Sequence, residues 1–330
     1  MDNCYKGMIW HAVVNVFAAS KKAASLWEKA EELLKAAGIA FHSRKTGRTG
    51  NATELTFDAC VAGYRRFLAV GGDGTVHDVL DGIGAFIEWQ AQSGGKLDFS
   101  DFTLGVIPVG SGNDWIKSTG VPRDMASAVG LVAGGCIGRQ DVVKVSVLDI
   151  CGSSERMLAA TYMANVAGVG IDARVCERVN MKKKQGLRGR KLYVASLIHA
   201  IRNRVPAYAK VVCDGCEMFA GAYLSMAFGV GKYSGGGMRQ TPEAVLDDGL
   251  VDVTIIPDLP LLRIAREVPR LFTGTFLKVP ELAVSRGRTV TVYPYNESAE
   301  PVEVDGEVVG KAPVRFEVMD SQINIVTGRG

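Results

Sequence analysis

Over its first hundred or so residues the chain alternates between two hydrophobic periods, and few folds are open to a sequence with that rhythm. Residues 9–16 are β-rich, after which Leu26, Ala30, Leu33, Leu34 and Ala37 recur at helical spacing until Gly38. The exchange then repeats, with 39–42 as a short strand, 52–62 as a helix, 66–70 as a strand, 76–88 as a helix and 103–107 as a strand. Strands joined through helices pair in parallel with the helices on the sheet faces, so roughly the first 140 residues are predicted to be a Rossmann-like α/β domain.

Beyond Asp141 the rhythm changes. Strand-like runs at 142–148, 157–166, 207–212, 219–228, 251–256 and 289–295 come with Gly and Asn turns, which predicts an antiparallel β-sandwich or barrel. Helical patterns interrupt them at 185–204 and 260–272. With 330 residues, 47% hydrophobic and 22% charged, the chain has the apolar content for two cores and is excluded from the disordered and fibrous classes. No apolar run reaches the ~18–20 residues of a membrane span. The apolar stretch after Lys6 is broken by His11 and Asn15 and lacks an Ala-x-Ala site, so it is read as a buried first strand rather than a signal peptide. Seven cysteines, an odd number, point to a reducing, cytoplasmic setting. The one CxxC, Cys213-Asp214-Gly215-Cys216, reads as a hairpin with an Asp-Gly turn rather than a metal or redox site.

The chemistry concentrates in two loops. Gly71-Gly72-Asp73-Gly74-Thr75-Val76-His77-Asp78 lies between an apolar strand and a helix, where glycines allow close approach and a helix N-terminus favours phosphate oxygens. Asp73 beside an anion makes sense if Mg²⁺ bridges it to the phosphates. Pro108-Val109-Gly110-Ser111-Gly112-Asn113-Asp114-Trp115 also follows a strand, so both loops are expected at carboxyl ends of one sheet. There Asp114 could join Asp73 on one Mg²⁺.

These loops, followed by Asn165-Val166-Ala167-Gly168-Val169-Gly170-Ile171-Asp172-Ala173, then Thr241-Pro242-Glu243-Ala244-Val245-Leu246-Asp247-Asp248-Gly249-Leu250, then Val304-Asp305-Gly306-Glu307, resemble in kind and order the diacylglycerol kinase catalytic-domain family, which includes soluble bacterial lipid kinases and sphingosine and ceramide kinases. The resemblance implies ATP-dependent phosphorylation of a lipid hydroxyl. It implies an ATP-binding α/β domain over 1–143, a β-rich lipid-substrate domain over 144–313, and a return of 314–330 to the first. Carried over, Asn15, Thr46, Gly71, Gly72, Asp73, Gly74, Thr75, Val76, His77, Asp78 and Ser111 would contact the nucleotide. Asp248, with the carbonyls of Val245 and Leu250, would hold a structural Mg²⁺. Glu307 would accept the proton, with Asp73 as the rival base, and Asp73, Asp114 and Asp141 would complete an acidic network. The chain departs from the family's usual pattern after the first strand, where Asn15-Val16-Phe17 lacks the proline and the glycine-rich turn.

Charge adds a possible partner. The net +3 hides a segment, 174–191, with eight cationic residues against Glu177 alone. Followed by Leu192, Tyr193, Leu197, Ile198 and Ile201, it suits an anionic membrane surface, with Lys182, Lys183, Lys184 and Arg188 as the expected contacts. A solvated basic loop before a core helix is the competing reading. Nucleic acid is disfavoured by the lack of interleaved aromatics. An NAD kinase, which shares the Gly-Gly-Asp-Gly-Thr loop, and a catalytically silent nucleotide- or lipid-binding protein are the alternatives, and a homodimer is left open.

Overall fold

The computed structural model describes residues 7–17, 23–47, 51–109, 113–152, 154–184, 190–295 and 299–328. The chain forms two compact units, one spanning Met1–Val142 and Asp320–Gly330, the other Val143–Met319.

In the first unit, β1 (Trp10–Val14), β2 (Phe41–Lys45), β3 (Arg66–Gly71) and β4 (Thr103–Pro108) pair in parallel in the order β2-β1-β3-β4. Helices α1 (Ala23–Ala36), α2 (Ala52–Val61) and α3 (Asp73–Gln92) make the crossovers. Every residue of β1, and all of β3 after Arg66, is buried, as a sheet covered on both faces requires. Helices α2 and α3 meet closely at Gly82, where a Cβ would lie 2.5 Å from the Thr53 carbonyl oxygen. The chain leaves β1 for β2 on one side and returns to β3 on the other. This reversal opens a crevice outside the carboxyl ends of β1 and β3.

After β4 come α4 (Trp115–Thr119), α5 (Met125–Gly134) and β5 (Ile137–Gln140), which pairs antiparallel with β17 (Ile323–Val326); β17 in turn runs parallel to β4. The end of the chain, from Asp320, therefore completes the first sheet. The intervening strand β16 (Val314–Val318) stays in the second sheet, because Val314, Phe316 and Val318 point into that core.

The second unit is an antiparallel sheet of β6 (Val143–Cys151), β7 (Ser154–Met163), β8 (Val166–Gly170), β9 (Ala207–Cys213), β10 (Cys216–Gly229), β13 (Thr289–Pro294), β14 (Pro301–Val304), β15 (Glu307–Lys311) and β16, with β11 (Val251–Pro257) and β12 (Ala283–Gly287) added beside β10. Its order is β15-β14-β8-β10-β9-β13-β16-β6-β7. Phe228 of β10 and Phe316 of β16 stack at 4.1 Å although two strands separate theirs, so the sheet closes over its own valine-rich core. The run predicted as one strand over 157–166 breaks into β7 and β8. At Ala164 and Asn165 the N–H groups leave the ladder for the Asp305 carboxylate, at 2.8 and 2.9 Å.

Helices α6 (Ile171–Lys184), α7 (Arg190–Arg202) and α8 (Leu261–Thr273) belong to this unit. The basic stretch before residue 185 is thus helix rather than loop. Ile171, Val175 and Val179 recur on one face and pack with Leu224 and Ile264, a stripe masked in the sequence by the charges between. Among the described residues no helix is long and apolar enough to cross a membrane.

Candidate active site

At the crevice of the first sheet, three of the expected nucleotide contacts converge through hydrogen bonds. Asn15, just past β1, donates from Nδ2 to Thr75 Oγ1 at 3.0 Å, and its N–H donates to the Val70 carbonyl at 3.0 Å. Thr46, just past β2, donates its N–H to the Val14 carbonyl and accepts the Val16 N–H on Oγ1 at 3.3 Å. The turn after β1 needs neither proline nor glycine, because Asn15 Oδ1 accepts the Phe17 N–H at 3.0 Å and closes an Asx turn. Gly71 must lack a side chain here, since a Cβ would overlap the Thr75 hydroxyl.

Helix α3 starts at Asp73, earlier than the helical pattern suggested, because the Gly72 carbonyl takes the N–H groups of Thr75 (2.9 Å) and Val76 (3.2 Å). Those two N–H groups are thereby engaged within the turn. The Val76 and His77 side chains are buried, while Gly72, Asp73, Gly74 and Asp78 are partly accessible. The Asp73 carboxylate reaches the second loop, accepting the N–H of Asp114 at 2.9–3.0 Å and that of Trp115 at 2.9 Å. It thereby ties the end of β3 to the end of β4. Buried Trp115 fixes the other side, donating Nε1–H to Gln140 Oε1 at 2.9 Å. Asp114 is buried with Oδ1 2.5 Å from Lys117 Nζ, and Asp141 accepts from Gln322 Nε2 at 2.9 Å. Ser111 lies outside the described residues.

Neighbouring Asp73 and Asp114 offer the hard oxygen donors that Mg²⁺ accepts when phosphate oxygens fill the rest of its shell. No group of three His, Cys, Asp or Glu residues placed to cage a metal occurs among the described residues.

In the second unit, Asp305 (φ 52°) and Gly306 (φ 92°) form the two-residue turn joining β14 to β15, and Glu307 stands exposed just after it. The expected structural metal site at Asp248 lies on a turn where Oδ1 accepts the Leu250 N–H at 3.1 Å and Oδ2 sits 3.5 Å from Arg286 Nη1. Val245 is exposed, and the Asp carboxylate and carbonyl oxygens are a fitting donor type for Mg²⁺. Arg286 is drawn off mainly by Asp252, at 3.1 Å.

Sequence reasoning missed two features of this unit. One is an apolar cavity beneath α6, α7 and α8, lined by Ile171, Leu197, Leu224, Ile256, Ile264 and Leu271, with Asp172, Ser225 and Gln240 on its wall. The other is a buried acid pair. Desolvation pushes the Glu303 carboxyl well above the usual carboxylate range, against the Gly306 N–H that stabilises its charge, and the neighbouring Asp172 adds to the rise. Burial likewise raises Asp172, opposed by bonds from Ser225 and Gln240. Gly168 separates the two, and a Cβ there would lie 2.8 Å from Asp172 Cβ and 3.0 Å from Glu303 Oε1. The available signal was a glutamate between two valines, Val302 and Val304, inside a β-run.

The basic segment is less free than its count suggests. Arg174 makes a bidentate pair with buried Glu300, at 2.6 and 2.5 Å. Lys182 is half-buried near the end of α6, while the side chains of Lys183 and Lys184, and Arg188, lie outside the described residues.

The first unit is thus an α/β nucleotide-type fold with a glycine loop at its switch point, and the second is a closed antiparallel β unit with an apolar cavity. Comparison with known proteins agrees. Residues 10–145 match the diacylglycerol kinase catalytic domain, and residues 165–327 match the YegS C-terminal NAD kinase beta sandwich-like domain. A Pseudomonas putida protein named "Probable lipid kinase YegS-like" is 26% identical over 88% of this chain and 87% of its own. A Mycobacterium tuberculosis "Diacylglycerol kinase" is 25% identical over 86% and 83% respectively. The crystal structure of a diacylglycerol kinase from Bacillus anthracis superposes with a TM-score of 0.73 over 98% of both chains at 20% identity. The chain belongs to the diacylglycerol kinase catalytic-domain family, a family of phosphotransferases with an alcohol as acceptor.

Proposed function

We propose that this chain is an ATP- and Mg²⁺-dependent lipid kinase, transferring the γ-phosphoryl group to a primary hydroxyl of a lipid such as diacylglycerol or a sphingoid lipid. The observation that carries the reading is the convergence of Asn15, Thr46 and Thr75 at the carboxyl ends of β1, β2 and β3, beside Asp73 at the start of α3. It supports a phosphate cradle at the switch point. Mg²⁺ held by Asp73 and Asp114 would neutralise charge on the triphosphate. A second ion at Asp248 would brace the loop before β11.

In this reading the Glu307 carboxylate accepts the proton of the lipid hydroxyl as its oxygen attacks the γ-phosphorus and ADP leaves. Asp73 is the weaker candidate, because its carboxylate is already committed to the amides of Asp114 and Trp115. The apolar cavity of the second unit supports a lipid over NAD as acceptor, since an acyl chain suits its Ile and Leu walls and a dinucleotide does not. Peripheral binding to an anionic membrane from the cytoplasmic side would bring enzyme and substrate together.

Equilibrium binding of ATP to the wild type, Thr75→Val and Thr46→Val checks the cradle. Loss of one hydrogen-bonding hydroxyl should weaken affinity by about five- to tenfold, on the order of 1 kcal/mol. Unchanged affinity in both variants would remove these residues from the nucleotide site.

A further inference from the structure

The second unit contains two Asp-Gly hairpins of the same build, and only one of them carries a group proposed to react. The turn residues adopt the left-handed region in both, Asp214 (φ 47°) and Gly215 (φ 81°) in one, Asp305 (φ 52°) and Gly306 (φ 92°) in the other. Each aspartate also holds backbone N–H groups of a neighbouring segment. Asp214 takes those of Arg288 (3.2 Å) and Thr289 (2.8 Å), and Asp305 takes those of Ala164, Asn165 and Val166 (2.8, 2.9 and 3.2 Å).

There the likeness ends. Gly306 is gripped on both sides, its N–H donating to Glu303 Oε2 at 2.8 Å and its carbonyl accepting from Cys176 Sγ at 2.8 Å and Asn180 Nδ2 at 3.1 Å. Among the described residues no side chain bonds the Gly215 carbonyl. An Asp-Gly turn in this protein therefore forms without such a grip, and the added contacts call for another explanation.

Glu307 supplies one. It begins β15, the last strand of the sheet, whose ladder partner is β14. Strand pairing thus holds it from one side. The Gly306 carbonyl belongs to the peptide joined to the Glu307 nitrogen, so whatever fixes that carbonyl fixes the plane from which the Glu307 side chain departs. Cys176 and Asn180, four apart on α6, share a helix face and both reach it. We infer that Cys176 and Asn180 are positioning residues that aim Glu307, an inference resting on the reading of Glu307 as proton acceptor.

The test is steady-state kinetics of Cys176→Ala, Asn180→Ala and Asn180→Asp, alone and combined with Glu307→Gln, on the full chain. Misplacement of a reacting group by a fraction of an ångström to an ångström costs on the order of ten- to a hundredfold in turnover. The Cys176→Ala/Asn180→Ala double variant should lose kcat on that scale with KM for ATP within about twofold. Cys176→Ser, which keeps a donor, should retain turnover, whereas Asn180→Asp, isosteric but an acceptor facing a carbonyl, should lose it. In the Glu307→Gln background the same changes should add little. Full additivity, or equal losses in kcat and in ATP affinity, would overturn the positioning role. Near-normal turnover of Glu307→Gln by itself would instead remove Glu307 as acceptor, and the two failures are told apart by that single variant.

Discussion

At the scale of single residues, the clearest energetic oddity is His11 in the middle of β1. It is buried among rings, 4.7 Å from Tyr64 and 5.9 Å from Phe67, and neither ring nitrogen has a hydrogen-bond partner. Desolvation, with the charges of Arg44 and His42 adding, pushes its imidazole from 6.5 down to about 4. Between those values the unfolded chain takes up a proton that the folded chain refuses. Stability is therefore full above the unfolded value and falls as pH drops toward the folded one, by up to about 3 kcal/mol. His11→Leu should flatten that acid limb without loss near neutrality, since it removes two unpaired buried nitrogens. Denaturant unfolding at about pH 7 and about pH 5 measures this, and equal acid sensitivity in both proteins would contradict it.

Individual residues were unevenly legible in the sequence. The glycines and Thr75 of the loop after β3 stood out by motif, whereas Asn15 and Thr46 were expected only from the family resemblance. Asp73 was visible as an acid in a glycine loop, but its bonds to Asp114 and Trp115 depend on two loops meeting across a sheet. Glu303 and Asp172 were invisible as a pair, because they lie 131 positions apart in the chain and only β8 pairing with β14 brings them together.

At the scale of elements, α6 does more than the sequence suggested. Its first turn lines the apolar cavity through Ile171, its middle grips the Glu307 hairpin through Cys176 and Asn180, and its end carries the lysine run. Hydrophobic period revealed β1 to β4 and α1 to α3 of the first unit within a few residues. It failed for α6, where charged residues dilute a narrow buried stripe, and for β5, whose Ile-Gly-Arg-Gln has no alternation to read. The proposed membrane contact rests on the basic end of this helix and the residues after it. Charge reversal at Lys182, Lys183, Lys184 and Arg188 should weaken sedimentation with anionic vesicles at least tenfold, because each cation contributes about 1 kcal/mol near such a surface. Vesicle binding that survives the reversal would leave the segment a solvated helix end.

At the scale of the whole molecule, the two units divide the proposed labour. In that proposal the first supplies a phosphate cradle at its switch point, where Asn15 bonds Thr75, and the second a closed β unit with an apolar cavity and an exposed glutamate on a fixed turn. The passage from an α/β to an antiparallel β architecture was readable from the change of period near Asp141, and the family from motifs in order. The cavity was not, since its walls come from three helices and two strands far apart in sequence. The central claim is phosphoryl transfer from ATP to a lipid alcohol. Incubating the full chain with γ-labelled ATP, Mg²⁺, NAD and mixed micelles of diacylglycerol and a sphingoid base, then separating the products, tests it directly. Label should appear in a lipid phosphomonoester and vanish with Asp73→Ala or on chelation of the metal. Label in NADP, or ATP bound without any transfer to lipid, would contradict it.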